Sequence, residues 1–233
     1  MAIRLIIAVL SLSMCFVIPL FFNDLLEFFV TKLGSGWVFS TLFIRLLVVI
    51  MLTICLREIF SLWKKSRKIK VWIIFLIALL PGIGISMLHP VYVGDYGTPA
   101  ANTEEIELDI TELSQATGNE FELGEGNHII AFFTSTCPHC KATSNKLGIN
   151  VEAGQKVPVT VFFPSLREDA DRFLNENRGT KFDSYCISDQ VFTNNAGNSF
   201  PITFLVDKDG KTLNYWRGDV ISYNVLDDLL DME

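Results

Sequence analysis

Three apolar runs within the first 88 residues constrain this chain more than any other feature. Residues 5–22 form an uncharged run of 18, residues 37–56 a run of 20 interrupted only by Arg45, and residues 71–88 another uncharged run of 18. At about 1.5 Å of rise per residue, each approaches the ~20 residues that carry a helix across ~30 Å of hydrocarbon. The expected N-terminal part is therefore a membrane region, residues 1–88, with three transmembrane α-helices at about 5–22, 37–56 and 71–88. Met1-Ala2-Ile3-Arg4 would also suit the start of a signal peptide. The first run is longer than a signal's apolar region, however, and no small-x-small cleavage site follows Pro19-Leu20-Phe21-Phe22, so an uncleaved anchor is expected.

Charge orients these spans. Between the second and third runs, Arg57, Lys64, Lys65, Arg67, Lys68 and Lys70 stand against Glu58 alone, and the positive-inside rule places that loop in the cytoplasm. The N-terminus is then cytoplasmic too, and everything after Leu88 lies outside. Residues 1–88 hold nine Lys/Arg and three Asp/Glu, whereas residues 89–233 hold ten and 23. The chain thus reads as a basic membrane face carrying an acidic exported domain, which argues against nucleic acid as a partner. The localisation that follows is a multi-pass protein of a bacterial inner membrane, with its C-terminal domain in the periplasm.

The exported part opens with a linker, residues 89–103, rich in Pro, Gly and Ala, and residues 104–233 form the domain. Alternation at 106–110 suggests a strand, and 121–123 another. Residues 128–133 are a continuous apolar strand of the kind buried in a sheet centre. A helix is expected from Cys137 to about 153, a second buried strand over 157–163, and a helix over 166–177 with Ser165 as cap and Glu168 as its capping-box partner. Residues 182–192 carry no clear pattern, and 193–198 read as a loop. A strand at 202–206, a turn at 207–210, a partner strand at 212–216 and a helix at 220–230 close the chain.

Cys137-Pro138-His139-Cys140 lies where the apolar strand gives way to a helix. A dithiol there sets the first sulfur over the helix N-terminal N–H groups, which favour the thiolate, and Pro138 falls in the first turn, where its missing N–H costs nothing. Cys137 reads as the nucleophile and Cys140, one turn in and shielded, as the resolving thiol. His139 adds a tuning group beside the sulfur. An exported CxxC also sits in a compartment where disulfides persist.

The stretch AFFTSTCPHC, followed some sixty residues later by FPITFLVDKDGK, resembles the thioredoxin superfamily, and within it the membrane-anchored extracytoplasmic TlpA/ResA-like branch. The Pro-His dipeptide resembles that of the DsbA-type periplasmic oxidants. The resemblance implies an α/β thioredoxin-like fold, a central mixed sheet of four or more strands flanked by helices. It also implies thiol-disulfide oxidoreductase activity through a redox-active Cys137-Cys140 disulfide, with no other cofactor and no metal. Pro201, which the residues alone would equally allow to start an edge strand, becomes a cis proline facing the dithiol, with Phe200 offering backbone groups to a bound peptide. The implied partners are cysteine-containing protein substrates, the lipid bilayer and a membrane electron donor or acceptor.

Two positions depart from the family pattern: Ala131 stands where a buried carboxylate is usual, and Thr136 replaces a tryptophan. Direction is open, since the TlpA/ResA likeness implies a reductant and the Pro-His dipeptide an oxidant or isomerase. Two alternatives stand beside redox chemistry. One is a structural zinc site built from Cys137, Cys140, Cys186 and one of His89, His128 or His139; the other is a redox-inactive peptide-binding membrane scaffold. Cys15 and Cys55 read as packing residues at different depths, and Arg45 as a side chain that snorkels outward or pairs with Asp24 or Glu27.

Overall fold

The chain divides into two units, Met1–Tyr92 and Val93–Glu233. The computed structural model describes residues 2–62, 70–89, 93–96, 108–197, 200–218 and 221–232. Lys64, Lys65, Arg67 and Lys68 of the basic loop, and residues 97–103 of the expected linker, lie outside the described residues.

The first unit consists of α1 (Ala2–Leu20), α2 (Phe22–Leu33), α3 (Trp37–Leu62) and α4 (Val71–Ser86). Of these, α1 and α3 are long and apolar enough to cross a membrane. The third expected span is shorter than read from sequence: α4 has 16 residues, about 24 Å of helix. Not expected at all was α2, which follows α1 after a step at Phe21 and ends where Gly34 adopts φ 63°, a left-handed turn that glycine enters freely.

Together α1 and α2 run antiparallel to α3. Arg4 donates to the Ser61 carbonyl at 3.5 Å, the Cys15 thiol lies 3.7 Å from the Val48 carbonyl, and the Phe29 and Phe43 rings meet edge to face at 5.4 Å. Cys15 and Cys55 are both buried free thiols. Gly82 brings α4 against Val49 of α3 so closely that a Cβ would meet the Val49 backbone at 3.0 Å, the small-residue contact typical of helices packed in lipid. Arg45 takes backbone acceptors. Its guanidinium donates to the Ser86 carbonyl at 2.9 Å and the His89 carbonyl at 3.4 Å, over the Phe22 ring at 4.9 Å. The Ser86 carbonyl ends α4, where backbone acceptors lack helical partners and the dipole favours a cation.

The second unit contains α5 (Val93–Tyr96), α6 (Ile110–Ala116), β1 (His128–Phe132), α7 (Pro138–Ala153), β2 (Val159–Phe163), α8 (Arg167–Glu176), β3 (Asp183–Cys186), α9 (Asp189–Ala196), β4 (Ile202–Val206), β5 (Thr212–Arg217) and α10 (Tyr223–Asp231). The five strands form one sheet in the order β3-β2-β1-β4-β5. β1 and β2 run parallel, as do β2 and β3, each pair joined through a helix as parallel strands require. β4 and β5 are antiparallel additions on the other side of β1. This mixed, helix-flanked sheet is the architecture that the thioredoxin resemblance implied.

The side chains of alternate strand residues divide between the two faces. On one face Ile130, Phe132, Phe162, Ile202, Phe204 and Val206 bury against Leu113, Phe121, Phe192 and Ala196. On the other, Phe133 and Phe163 meet Phe173 of α8 at 5.8 and 5.4 Å. There α7 is tied to α10, with the Asn150 amide donating to the Leu226 carbonyl at 2.8 Å.

Several local expectations fail for identifiable reasons. Of the strand expected over 106–110, residues 106 and 107 lie outside the described residues, and a helix begins at Ile110, where the Asp109 carboxylate accepts from the Glu112 N–H at 2.8 Å and caps it. Residues 121–123 join no strand, although Phe121 is buried against Phe162. Ser165 is not a cap: Leu166 holds that position. Residues 193–196 are helical, since Ser188 caps α9 and Phe192 and Ala196, four apart, share its buried side. Asp95 of α5 is buried and pairs with Lys146 of α7 at 3.3 Å, so this part of the expected linker belongs to the folded domain.

Candidate functional site

The site is built at the carboxyl end of β1. Strand pairing holds the chain to Phe133, whose N–H donates to the Phe162 carbonyl at 3.0 Å. Thr134, Ser135 and Thr136 then turn it, with the Cys137 N–H closing on the Thr134 carbonyl at 3.2 Å. Cys137 is the N-cap of α7, in extended backbone geometry with φ −79° and ψ 119°, and Pro138 opens the helix. A capping side chain normally offers oxygen; here the Cys137 sulfur accepts the Cys140 N–H at 3.2 Å. The helix N-terminus therefore faces the first sulfur directly.

The two thiols have opposite surroundings. Cys137 is half-buried, and its neighbours Thr136, Pro138 and His139 are exposed, so an incoming group reaches its sulfur. Cys140 is 0% exposed, and burial pushes its thiol far up, reinforced by a hydrogen bond to Cys137 and opposed by hydrogen bonds from Thr134. The asymmetry is that of a nucleophile and a shielded second thiol, and both are free thiols here.

Opposite them, the Phe200-Pro201 peptide bond is cis, as the resemblance implied. The Cys137 thiol lies 4.0 Å from the Phe200 carbonyl oxygen. The Phe200 ring packs on Phe192 of α9 at 5.1 Å, while the Pro201 carbonyl accepts the Gly218 N–H at 2.7 Å. The loop beside the sulfur is thus held from both sides.

The structure brings Cys137, Pro138, His139, Cys140, Phe200 and Pro201 to one place; of the zinc alternative's other ligands, His128 and Cys186 lie elsewhere in this unit. His128 begins β1, at the end remote from the dithiol, and its Nε2 pairs with the Thr160 hydroxyl at 2.8 Å. Burial lowers its pKa. Cys186 ends β3 at the sheet edge, its thiol raised by burial. Among the described residues, no three His, Cys, Asp or Glu side chains gather. Ala131 is buried and sits in β1 between Val161 and Thr203, so the family's carboxylate position is a methyl group. One residue the sequence reading passed over is Thr134, whose carbonyl accepts the Cys137 N–H at 3.2 Å and closes the turn before α7; a backbone contact of this kind leaves no sequence signal.

No family model matches the sequence, and no curated protein matches it. Among solved structures, the chain is similar to a secreted disulfide oxidoreductase of Mycobacterium tuberculosis described as homologous to E. coli DsbE, at 17% identity with TM-score 0.40, covering 47% of this chain and 83% of that one. It is similar at 20% identity to M. tuberculosis DsbF, with TM-score 0.40 and coverage of 47% and 81%. Bacillus subtilis StoA matches at 19% identity, with TM-score 0.39 and coverage of 46% and 84%.

Proposed function

We propose that the protein is a membrane-anchored thiol-disulfide oxidoreductase that exchanges disulfides with extracytoplasmic proteins through Cys137 and Cys140. The observation carrying this reading is the pairing of an open thiol on a helix N-terminus, a buried thiol one turn on, and the Phe200 carbonyl of a cis Phe200-Pro201 bond 4.0 Å from the first sulfur. In the reducing direction, the Cys137 thiolate attacks a substrate disulfide and forms a mixed disulfide, releasing one substrate thiolate. Cys140 then attacks the Cys137 sulfur and frees the second, so two electrons pass to the substrate. Oxidation is the same sequence reversed. Phe200 and Pro201 line the substrate's approach, and a membrane electron donor or acceptor restores the starting redox state.

Equilibration of the chain with glutathione buffers fixes the direction. A potential near −120 mV identifies an oxidant, and one near or below −270 mV a reductant. Failure of the Cys137-Cys140 pair to equilibrate at all would remove the redox reading.

The proposed topology has three spans, with α4 as the third, a cytoplasmic N-terminus and a periplasmic domain; the charge of residues 57–70 supports it. A membrane-impermeant maleimide applied to intact cells is expected to label Cys137. In a Lys68→Cys variant, position 68 is expected to react only after lysis. Labelling of position 68 from outside would reverse the orientation.

A further inference from the structure

We infer that Arg45 completes the outer end of α4 and that export of residues 89–233 depends on it. This rests on the three-span topology proposed above and deepens it. α4 is the last span, so its insertion decides on which side of the membrane the dithiol works.

Two features make α4 a weak span by itself. Its 16 residues give about 24 Å of helix against ~30 Å of hydrocarbon, so its outer acceptors fall within lipid rather than water. Those acceptors also run out of donors. The Ile83 carbonyl accepts the Met87 N–H at 3.1 Å and the Ile85 carbonyl the Leu88 N–H at 3.0 Å. The residue four beyond Ser86, however, is Pro90, which has no N–H to give. A carbonyl left bare in lipid is costly, because no water replaces the missing bond.

Arg45 supplies the donor from the neighbouring helix. Its guanidinium donates to the Ser86 carbonyl at 2.9 Å and to the His89 carbonyl at 3.4 Å. One turn along α3, Val49 meets Gly82 of α4, four residues before Ser86. The contacts of 45 with 86 and of 49 with 82 therefore belong to one antiparallel seam, and close packing at Gly82 sets the reach of the arginine. The guanidinium also lies over the Phe22 ring at 4.9 Å, and that ring stacks on the His89 imidazole at 4.2 Å. The charge is thus directed at carbonyls and an aromatic face, partners that let an arginine reside within a span.

Hydropathy and charge alone predict the opposite of this role. Arg45→Leu makes α3 more apolar and removes a positive charge from the outer half of a span, and both changes favour the proposed orientation. With Arg45 as the donor for α4, the same substitution impairs export.

The test is a short pulse of synthesis of the full chain carrying a C-terminal epitope tag, followed by protease treatment of intact spheroplasts. The ratio of removed to protected tag counts exported against retained domains, and the pulse captures molecules before any are degraded. The wild-type tag is expected to be removed without lysis. In Arg45→Leu the ratio is expected to fall at least about tenfold, the size of a lost hydrogen bond from a charged group. Adding Pro90→Ala to Arg45→Leu gives the Ser86 carbonyl an N–H at helical spacing and is expected to restore most of the ratio. A wild-type ratio in Arg45→Leu would overturn the assignment, as would a loss that Pro90→Ala leaves uncorrected. A wild-type tag protected until lysis would instead overturn the topology, and this inference with it.

Discussion

Replacing Cys140 with alanine is expected to turn the protein into a trap. Cys137 keeps its place on the N-terminus of α7 and still attacks a substrate disulfide, but the sulfur that would resolve the adduct is gone. An intramolecular thiol held one helical turn away acts at an effective concentration far above millimolar external thiols. Multiple-turnover reduction of a protein disulfide such as insulin should therefore fall more than about a hundredfold, while mixed disulfides accumulate on non-reducing gels. Cys137→Ala should give neither turnover nor adducts. A Cys140→Ala protein that captures peptides without any covalent adduct would instead favour a binding scaffold.

Phe132→Ala is expected to have the largest effect on stability. The Phe132 ring is fully buried and meets Phe162 at 5.4 Å, Phe192 at 5.5 Å and Phe204 at 6.1 Å, so it joins three strands to α9. Deleting a buried phenylalanine costs about 3–5 kcal/mol, the transfer of the ring plus the cavity left behind. Against a typical total of 5–15 kcal/mol, that is a large share. Denaturant midpoints of the second unit should shift accordingly, whereas Phe132→Leu, which leaves a smaller cavity, should cost less than Phe132→Ala. The loss should also reach the site, because Phe192 packs on Phe200. Equal midpoints for wild type and Phe132→Ala would contradict this account of the core.

What the sequence reveals about this molecule follows from how strongly each segment's pattern exceeds its neighbours'. β1, β2 and β4 are buried along their whole length, and an unbroken apolar run is hard to mistake. The dithiol helix is equally legible, since Cys137, Pro138 and Gly154 mark its two ends. β3 is not: Asp183-Ser184-Tyr185-Cys186 is a partly exposed edge strand held to its place by pairing with β2 rather than by its composition. α6 and α9 are hidden for a related reason. Their caps, Asp109 and Ser188, are single residues within polar stretches that read equally well as turns. α2 is masked because it continues an apolar run. At the site, the dithiol and the cis proline carry sequence signals, whereas the Phe192 ring behind Phe200 is brought there only by the fold.

One further consequence comes from the clasp between α6 and α9. The Asn195 side chain accepts the Asp109 N–H and donates to Glu112, both at 2.9 Å, and Asn194 donates to Glu112 at 2.9 Å. Through Phe192 and Phe200 this bracing continues to the carbonyl beside Cys137. The loop beside the Cys137 sulfur is thus anchored in two helices. Under the proposed function, a peptide docking there would forfeit its own conformational freedom but little of the protein's, so a small contact area would suffice to hold it.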